Sequence, residues 1–282
     1  VKAKANIPVL GINEFQVDQE ADNSFQYHQI VGARHIEKPH IHDFFLFLLF
    51  KDGSGVHTVD FEAYEVKPKQ LHLLFPGQVH SWQLGPSTNA VQVMVHRRVF
   101  ETFASALKHD FVHYQKHPVL NLSVETFQQL LHEFHSIKSE LNKKPVYLDI
   151  INSRCKIIAQ MASREAEEKF EDLKVYHTKP ILIDYLSLID LNYKEERSVA
   201  FYAEKLNITA NYLNILVQKH FNTSATSLIH NRLALEAKRL LLTSNGSIKE
   251  IAYTLGFYDL AYFSKFFKLQ TGVSPRKFRM PL

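Results

Sequence analysis

Residues 203–224, AEKLNITANYLNILVQKHFNTS, and residues 252–274, AYTLGFYDLAYFSKFFKLQTGVS, are two copies of one pattern once the second is allowed an extra residue in its turn. Self-similarity of this kind sets the architecture of the region that holds it, because each copy must solve the same packing problem. Tyr212 pairs with Tyr262, Leu213 with Phe263, Leu216 with Phe266, Val217 with Phe267 and Asn222 with Gly272. Each copy reads as a helix, a tight turn and a second helix, the helix-turn-helix plan. Ala203 and Ala252 are small where two helices cross closely. Asn207 and Gly256 follow Leu206 and Leu255, where a left-handed backbone at a helix end favours Asn or Gly. Thr209 and Asp259 stand where a side-chain oxygen caps the next helix. Leu213 with Val217, and Phe263 with Phe267, lie four apart on one face and are the expected core of each copy.

The aromatic stretch GFYDLAYFSKFFK is on this reading mostly core, and the small and basic residues between its rings face outward. The outward positions are Asn211, Asn214, Ile215 and Gln218 in the first copy and Ala261, Ser264, Lys265 and Lys268 in the second. Amides read adenine edges, lysine reaches guanine or phosphate, and Ala or Ile touches a thymine methyl, so this face suits double-stranded DNA. Charge agrees. From His177 onward there are fourteen Lys and Arg against eight Asp and Glu, whereas the first 176 residues carry 19 against 21. The basic surplus sits in the C-terminal third, as a polyanion-binding domain requires.

Around the repeat, every segment from Lys179 onward reads as helix: Pro180 to Leu191, Ser198 to Leu206, Ala210 to Phe221, Ala225 to Leu242, Ser247 to Leu255, Leu260 to Gln270, and a last turn at Pro275 to Arg279. The first hundred residues read differently. FQYHQIVG, FFLFLLF, GVHTVDF, QLHLLF, SWQL and AVQVMV are short, β-branched or aromatic, and separated by the turn signals DGSG, PGQ and GPSTN. They predict an antiparallel β-barrel or sandwich. Helical periods then follow in VFETFASALK, from Ser123 to Asn142, and from Tyr147 to about Phe170. The charged SREAEEKFED and the KVYHTKP after it form the expected linker. The fold class is therefore mixed: a domain at 1–176, with a barrel to about 97 and helices to about 172, and an all-α domain at 177–282 with its two motifs at about 198–221 and 247–270.

No apolar run is long enough to cross a bilayer, and VKAKANIPVLGINEF lacks a signal peptide's apolar block, so a cytoplasmic, nucleoid-associated protein is expected. Cys155 is the only cysteine, which excludes an intrachain disulfide and a thiolate zinc site.

With these residues in view, IKEIAYTLGFYDLAYFSKFFKLQTGVSPRKFR closely resembles the C-terminal signature of the AraC/XylS transcriptional regulators, through Ile248, Ile251, Ala252, Gly256, Phe257, Tyr262, Phe263, Ser264, Phe267, Lys268, Gly272, Ser274, Pro275, Phe278 and Arg279. The resemblance implies two recognition helices entering successive major grooves about one helical turn apart. It also implies a bacterial regulator, with RNA polymerase as a further partner. Arg232 on the connecting helix and Arg279 near the end are expected to position the DNA backbone. Ile215 stands where many members carry Arg, Asn222 where Gly is usual, and Ala210 where Pro or Ser is frequent, so the second recognition helix is expected to dominate.

HIHDFF at 40–45 and PGQVH at 76–80 resemble the two motifs of a cupin barrel. Histidines two apart on a strand share a face, so His40, His42 and His80 are a candidate metal set. Asp43 is followed by FFLFLLF with no glutamate where metal cupins place one, and the expectation is no cofactor and no catalysis. The alternatives are a metal-dependent cupin enzyme joined to a DNA-binding domain, and a ligand-independent dimeric DNA-binding protein. In AraC-type regulators the matching domain senses a small effector, for which His42, Tyr64, His80 and Trp82 are the candidate contacts. Ile150, Ile157, Ile158 and Met161 recur at helical spacing and suit either a homodimer contact or packing on the barrel.

Overall fold

A computed structural model of the chain describes residues 9–15, 24–103, 117–170 and 179–279. Packing divides the chain into two compact units, one reaching Phe170 and the other running from Glu171. The boundary expected between 176 and 177 lies outside the described residues, as do residues 171–178 of the expected linker and the end of VFETFASALK; the linker's first part is corrected, since residues 163–169 end the helix Leu148–Lys169 and Ser163, Glu165 and Ala166 are buried there.

The first unit has ten strands: β1 (Val9–Leu10), β2 (Phe25–Val31), β3 (Arg34–His42), β4 (Phe45–Asp52), β5 (Gly55–Val59), β6 (Glu62–Glu65), β7 (Gln70–Leu74), β8 (His80–Leu84), β9 (Asn89–Val95) and β10 (Val119–Asn121). They form two five-stranded sheets, ordered β1-β3-β8-β5-β6 and β10-β7-β4-β9-β2. Every pairing is antiparallel except the short β1 with β3. Among the described residues the cupin-like sheets are not hydrogen-bonded into a closed barrel, because the edge strands of one sheet do not pair with those of the other.

The apolar run of β4 reads as it does because both faces of its sheet are covered. Phe44, Leu46, Leu48 and Phe50 pack inward with Ile30, Leu74, Leu84 and Met94. On the other face Phe45 stacks on Phe100 of α1 (Arg97–Phe103), with ring centroids 3.4 Å apart. Helices α2 (Val124–Leu141) and α3 (Leu148–Lys169) pack on each other and reach β9 and β10. Leu130, Phe134, Ile151, Cys155 and Ile158 are buried there, and burial raises the Cys155 thiol pKa. Strand β3 escaped the reading of the strands, apart from its His-x-His end, because RHIEKPHIH is too polar to show alternation.

The second unit holds α4 (Pro180–Asn192), α5 (Val199–Lys205), α6 (Ala210–Phe221), α7 (Ala225–Thr243), α8 (Ile248–Thr254), α9 (Leu260–Thr271) and α10 (Pro275–Arg279). Each agrees with its predicted span to within a residue at either end, because a capping residue marks the start of most of them. Ser198, Thr209, Ser224, Ser247 and Asp259 each accept a hydrogen bond from a backbone N–H of the following turn. Ser247 and Glu250 complete a capping box. Helix α7 packs against α4, α6, α8, α9 and α10.

Candidate functional site

The two helix-turn-helix units are α5–α6 and α8–α9. Their turns hold Asn207 at φ 54° and Gly256 at φ 72°, and their second helices end at Asn222, φ 51°, and Gly272, φ 79°, all left-handed. Residues 211–220 and 261–270 follow the same order of exposed, partly buried and buried positions, residue for residue. Leu213, Leu216 and Val217 are buried in one copy, and Phe263, Phe266 and Phe267 in the other. Asn211, Ile215 and Gln218 are exposed on α6, as are Ala261, Lys265 and Lys268 on α9; Ser264 is partly buried.

Asn214 has a different place. Its Nδ2 donates to Ala210 O at 3.2 Å, and its Oδ1 accepts from the Ala225 N–H at 3.2 Å, so the amide ties α6 to the start of α7. Tyr212 and Tyr262, which the aromatic-core reading does not place outside, are 46% and 59% exposed beside the outward residues. A tyrosine on a helix flank leaves an apolar ring against its neighbours and a polar end in water, which a pattern based on apolar spacing does not separate from core.

Arg232 and Arg279 are also held by the protein. The Arg232 Nε donates to Asp190 and its Nη1 to Glu236 at 3.1 Å, with the guanidinium 4.2 Å above the Tyr193 ring. Burial disfavours its charge, but Asp190 and Glu236 outweigh that and raise its pKa. Arg279 Nε donates to Leu241 O at 3.1 Å, in the last turn of α7. Both residues, expected to position the DNA backbone, thus also have partners within the protein: Arg232 the carboxylates of Asp190 and Glu236, and Arg279 the end of α7. Arg197, absent from the sequence reading, donates to Leu255 O at 2.8 Å and lies 3.8 Å over Phe257, clamping the turn of the second copy.

The first unit holds a partly open cavity of about 310 Å³, whose walls include Ile30, Leu46, Met94, Trp82, His40 and His42, with Arg34 and His35 on exposed parts of β3. Trp82 Nε1 and Gln92 Oε1 are buried in this lining without a hydrogen-bond partner among the described residues. Of the candidate effector contacts, His42 and Trp82 line the cavity, His80 packs against His42, and Tyr64 is partly buried against the adjoining core without lining it.

Five buried histidines meet beside the cavity. β3 supplies His40 and His42, β8 His80, β5 His57 and β7 His72. A bulge between Ile36 and His40 shifts the register of β3 on β8, and the shifted register sets His40 opposite His80. His42 Nε2 lies 3.2 Å from His80 Nε2, His80 Nδ1 3.1 Å from His57 Nε2, and His57 Nδ1 2.8 Å from His72 Nδ1, which carries the chain from one sheet to the other. Burial lowers the pKa of His42 to about 3, aided by His40 and His57, and that of His57 to about 3, aided by His40. His72 and His80 are also driven well below the ordinary range, first by burial. These four rings are neutral near pH 7. The sequence motif named His40, His42 and His80; His57 lies in GVHTV between Val56 and Thr58 and His72 in QLHLL, all five residues of which are buried, so neither strand's pattern singles out its histidine.

The family described as AraC-like ligand binding domain matches residues 26–148, and a helix-turn-helix domain family matches residues 202–280. The raffinose operon regulatory protein RafR of Pediococcus pentosaceus is 35% identical over 94 residues, 33% of this chain and 34% of that one. The chain thus spans about a third of that relative's length. The transcriptional activator RhaS of Escherichia fergusonii is 20% identical over 248 residues, covering 85% of this chain and 86% of its own. Among solved structures, fatty-acid-bound ToxT of Vibrio cholerae is similar at 17% identity and TM-score 0.44, covering 93% of this chain and 97% of its own.

Proposed function

The chain belongs to the AraC family of transcriptional regulators, and from that premise we propose that it binds a two-block DNA operator through α6 and α9 under the control of a small effector held in the cavity of the first unit. The observation that carries the DNA reading is the repeat itself. Two capped helices bury the same positions and expose the same positions, and a shared outward pattern calls for a shared partner. Lys265 and Lys268 against Ile215 and Gln218 make α9 the stronger contributor, with Asn211 and Ala261 reading base edges and Asn214 bracing α6.

The effector reading rests on the cavity. Its walls are mostly apolar, and Trp82 Nε1 and Gln92 Oε1 ask for one acceptor and one donor from a ligand. That favours a compact molecule with an apolar or ring-bearing body and a few polar groups. Tyr147, Ile150 and Ile157 are exposed near and along one side of α3, and support a homodimer through that helix. No described helix is long and apolar enough to cross a membrane, which suits a protein working on the nucleoid.

Selection of bound sequences from a random DNA pool, with the whole protein at two salt concentrations, tests this. The expected product is a motif of two short blocks about ten base pairs apart, weakened by salt. Lys265→Ala is expected to lower affinity for that motif more than Ile215→Ala. Equal losses overturn the dominance of α9, and a failure to enrich any motif with and without candidate effectors overturns the operator reading.

A further inference from the structure

We propose that His40, His42 and His80 hold a divalent transition-metal ion of zinc's class beside the cavity, and that His57, His72 and Gln70 position its ligands. One ring nitrogen from each of the three lies within 4.8 Å of the other two. Nitrogens bound to one tetrahedral zinc at about 2.0–2.1 Å stand about 3.3 Å apart. The His42 Nε2 to His80 Nε2 separation of 3.2 Å is already that edge. Bringing in His40 closes the longest remaining edge by no more than about 1.5 Å, within the reach of a side-chain rotation. A set of neutral imidazoles suits zinc, copper, nickel or iron and not magnesium or calcium. The missing carboxylate that argued against a metal is no obstacle, since three imidazoles hold zinc while leaving a fourth position open.

The surrounding hydrogen bonds decide where the lone pairs point. The Lys67 N–H donates to Gln70 Oε1 at 2.8 Å, and Gln70 Nε2 donates to Asn121 Oδ1 at 2.9 Å, which fixes the amide's orientation. His72 Nε2, 3.1 Å from the same Gln70 oxygen, therefore carries a hydrogen. A neutral imidazole has one N–H, so His72 Nδ1 is bare and accepts from His57 Nδ1–H. His57 Nε2 is then bare and accepts from His80 Nδ1–H. The chain ends by leaving the lone pair of His80 on Nε2, where it accepts from His42 Nε2–H in the metal-free chain; binding an ion through both Nε2 atoms moves that hydrogen of His42 to its Nδ1. A metal-bound histidine needs this arrangement: one nitrogen free for the ion and the other donating to a fixed partner. His40 and His42 line the cavity, so the open position faces the space in which an effector would lie. Metal binding stands on these contacts alone; its regulatory consequence, an effector that ligates the ion, rests on the proposed function.

The test uses the untagged whole protein, stripped by a chelator and titrated with Zn²⁺ by calorimetry and with Co²⁺ by visible spectroscopy. One ion per chain is expected, with Co²⁺ absorption of low-symmetry nitrogen coordination. The double variant His40→Ala/His42→Ala is expected to lose the site. Gln70→Leu is expected to weaken zinc binding about tenfold to a hundredfold, while Gln70→Glu, which keeps an acceptor toward His72 Nε2, retains it. Wild-type affinity no greater than that of the double variant overturns the metal site, and equal affinities for Gln70→Leu and Gln70→Glu overturn the positioning chain. Operator binding is measured on the same samples. A protein that selects its operator but binds no metal refutes this proposal alone, and one that binds metal but selects no DNA refutes the regulator reading instead.

Discussion

Gly256 shows how one position can be constrained twice. Its φ of 72° already favours glycine, and a Cβ built there would lie 2.1 Å from the carbonyl oxygen of Lys194. Gly272 has a similar φ of 79° but nothing within 4 Å of the same construction. Asn207 and Asn222 hold the equivalent left-handed positions in the first copy with side chains in place. Alanine is therefore expected to destabilise at both glycines, by about 1 kcal/mol at Gly272 and by clearly more at Gly256, where backbone must move. Urea denaturation of the two variants checks this, and equal losses would mean that the Lys194 contact yields without cost. The turn's need for glycine is visible in the sequence, but the carbonyl that crowds it is not.

At the scale of elements, α7 carries the second unit. It touches α4, α6, α8, α9 and α10, and Arg232 on it joins Asp190 of α4 to Glu236 within its own next turn. This assigns different work to two kinds of cation. Lys268 is exposed on α9 and free to meet phosphate, whereas Arg232 is held among carboxylates. Lys268→Ala is expected to reduce the salt dependence of operator binding by about one unit in the log–log slope, with little change in melting temperature. Arg232→Ala is expected to leave that slope unchanged and lower the melting temperature, because it takes the guanidinium from Asp190 and leaves Glu236 to Arg239 at 3.7 Å. A flattened slope for Arg232→Ala would return that residue to the DNA contact.

At the scale of the whole molecule, the helical unit closes its own core. Leu182, Tyr185, Tyr202, Leu213, Ile229, Leu233, Phe263 and Phe267 are all buried, and Tyr185 donates to Ala225 O at 2.8 Å within the same unit. A fragment of residues 177–282 is expected to melt cooperatively and to bind the operator more weakly than the whole protein, through loss of the proposed dimer's second half. Thermal denaturation followed by a binding titration measures both, and a fragment without a cooperative transition would move the working boundary upstream.

The sequence by itself determined the local structure: helix spans and their caps, the left-handed turns, the duplicated motif and the β character of the first hundred residues. Those features depend on neighbours within a turn or two, where spacing and residue type are enough. Strand β3 was legible only at its His-x-His end, because pairing with β8 and β1 rather than its own alternation makes the rest a strand. Only the tertiary structure decided which cations are free, that Asn214 braces α6, and that His57 and His72 join the motif histidines. Each of these depends on partners that the chain brings together from distant positions, and a hydrogen bond is specified by where its two ends meet, not by where either stands in sequence.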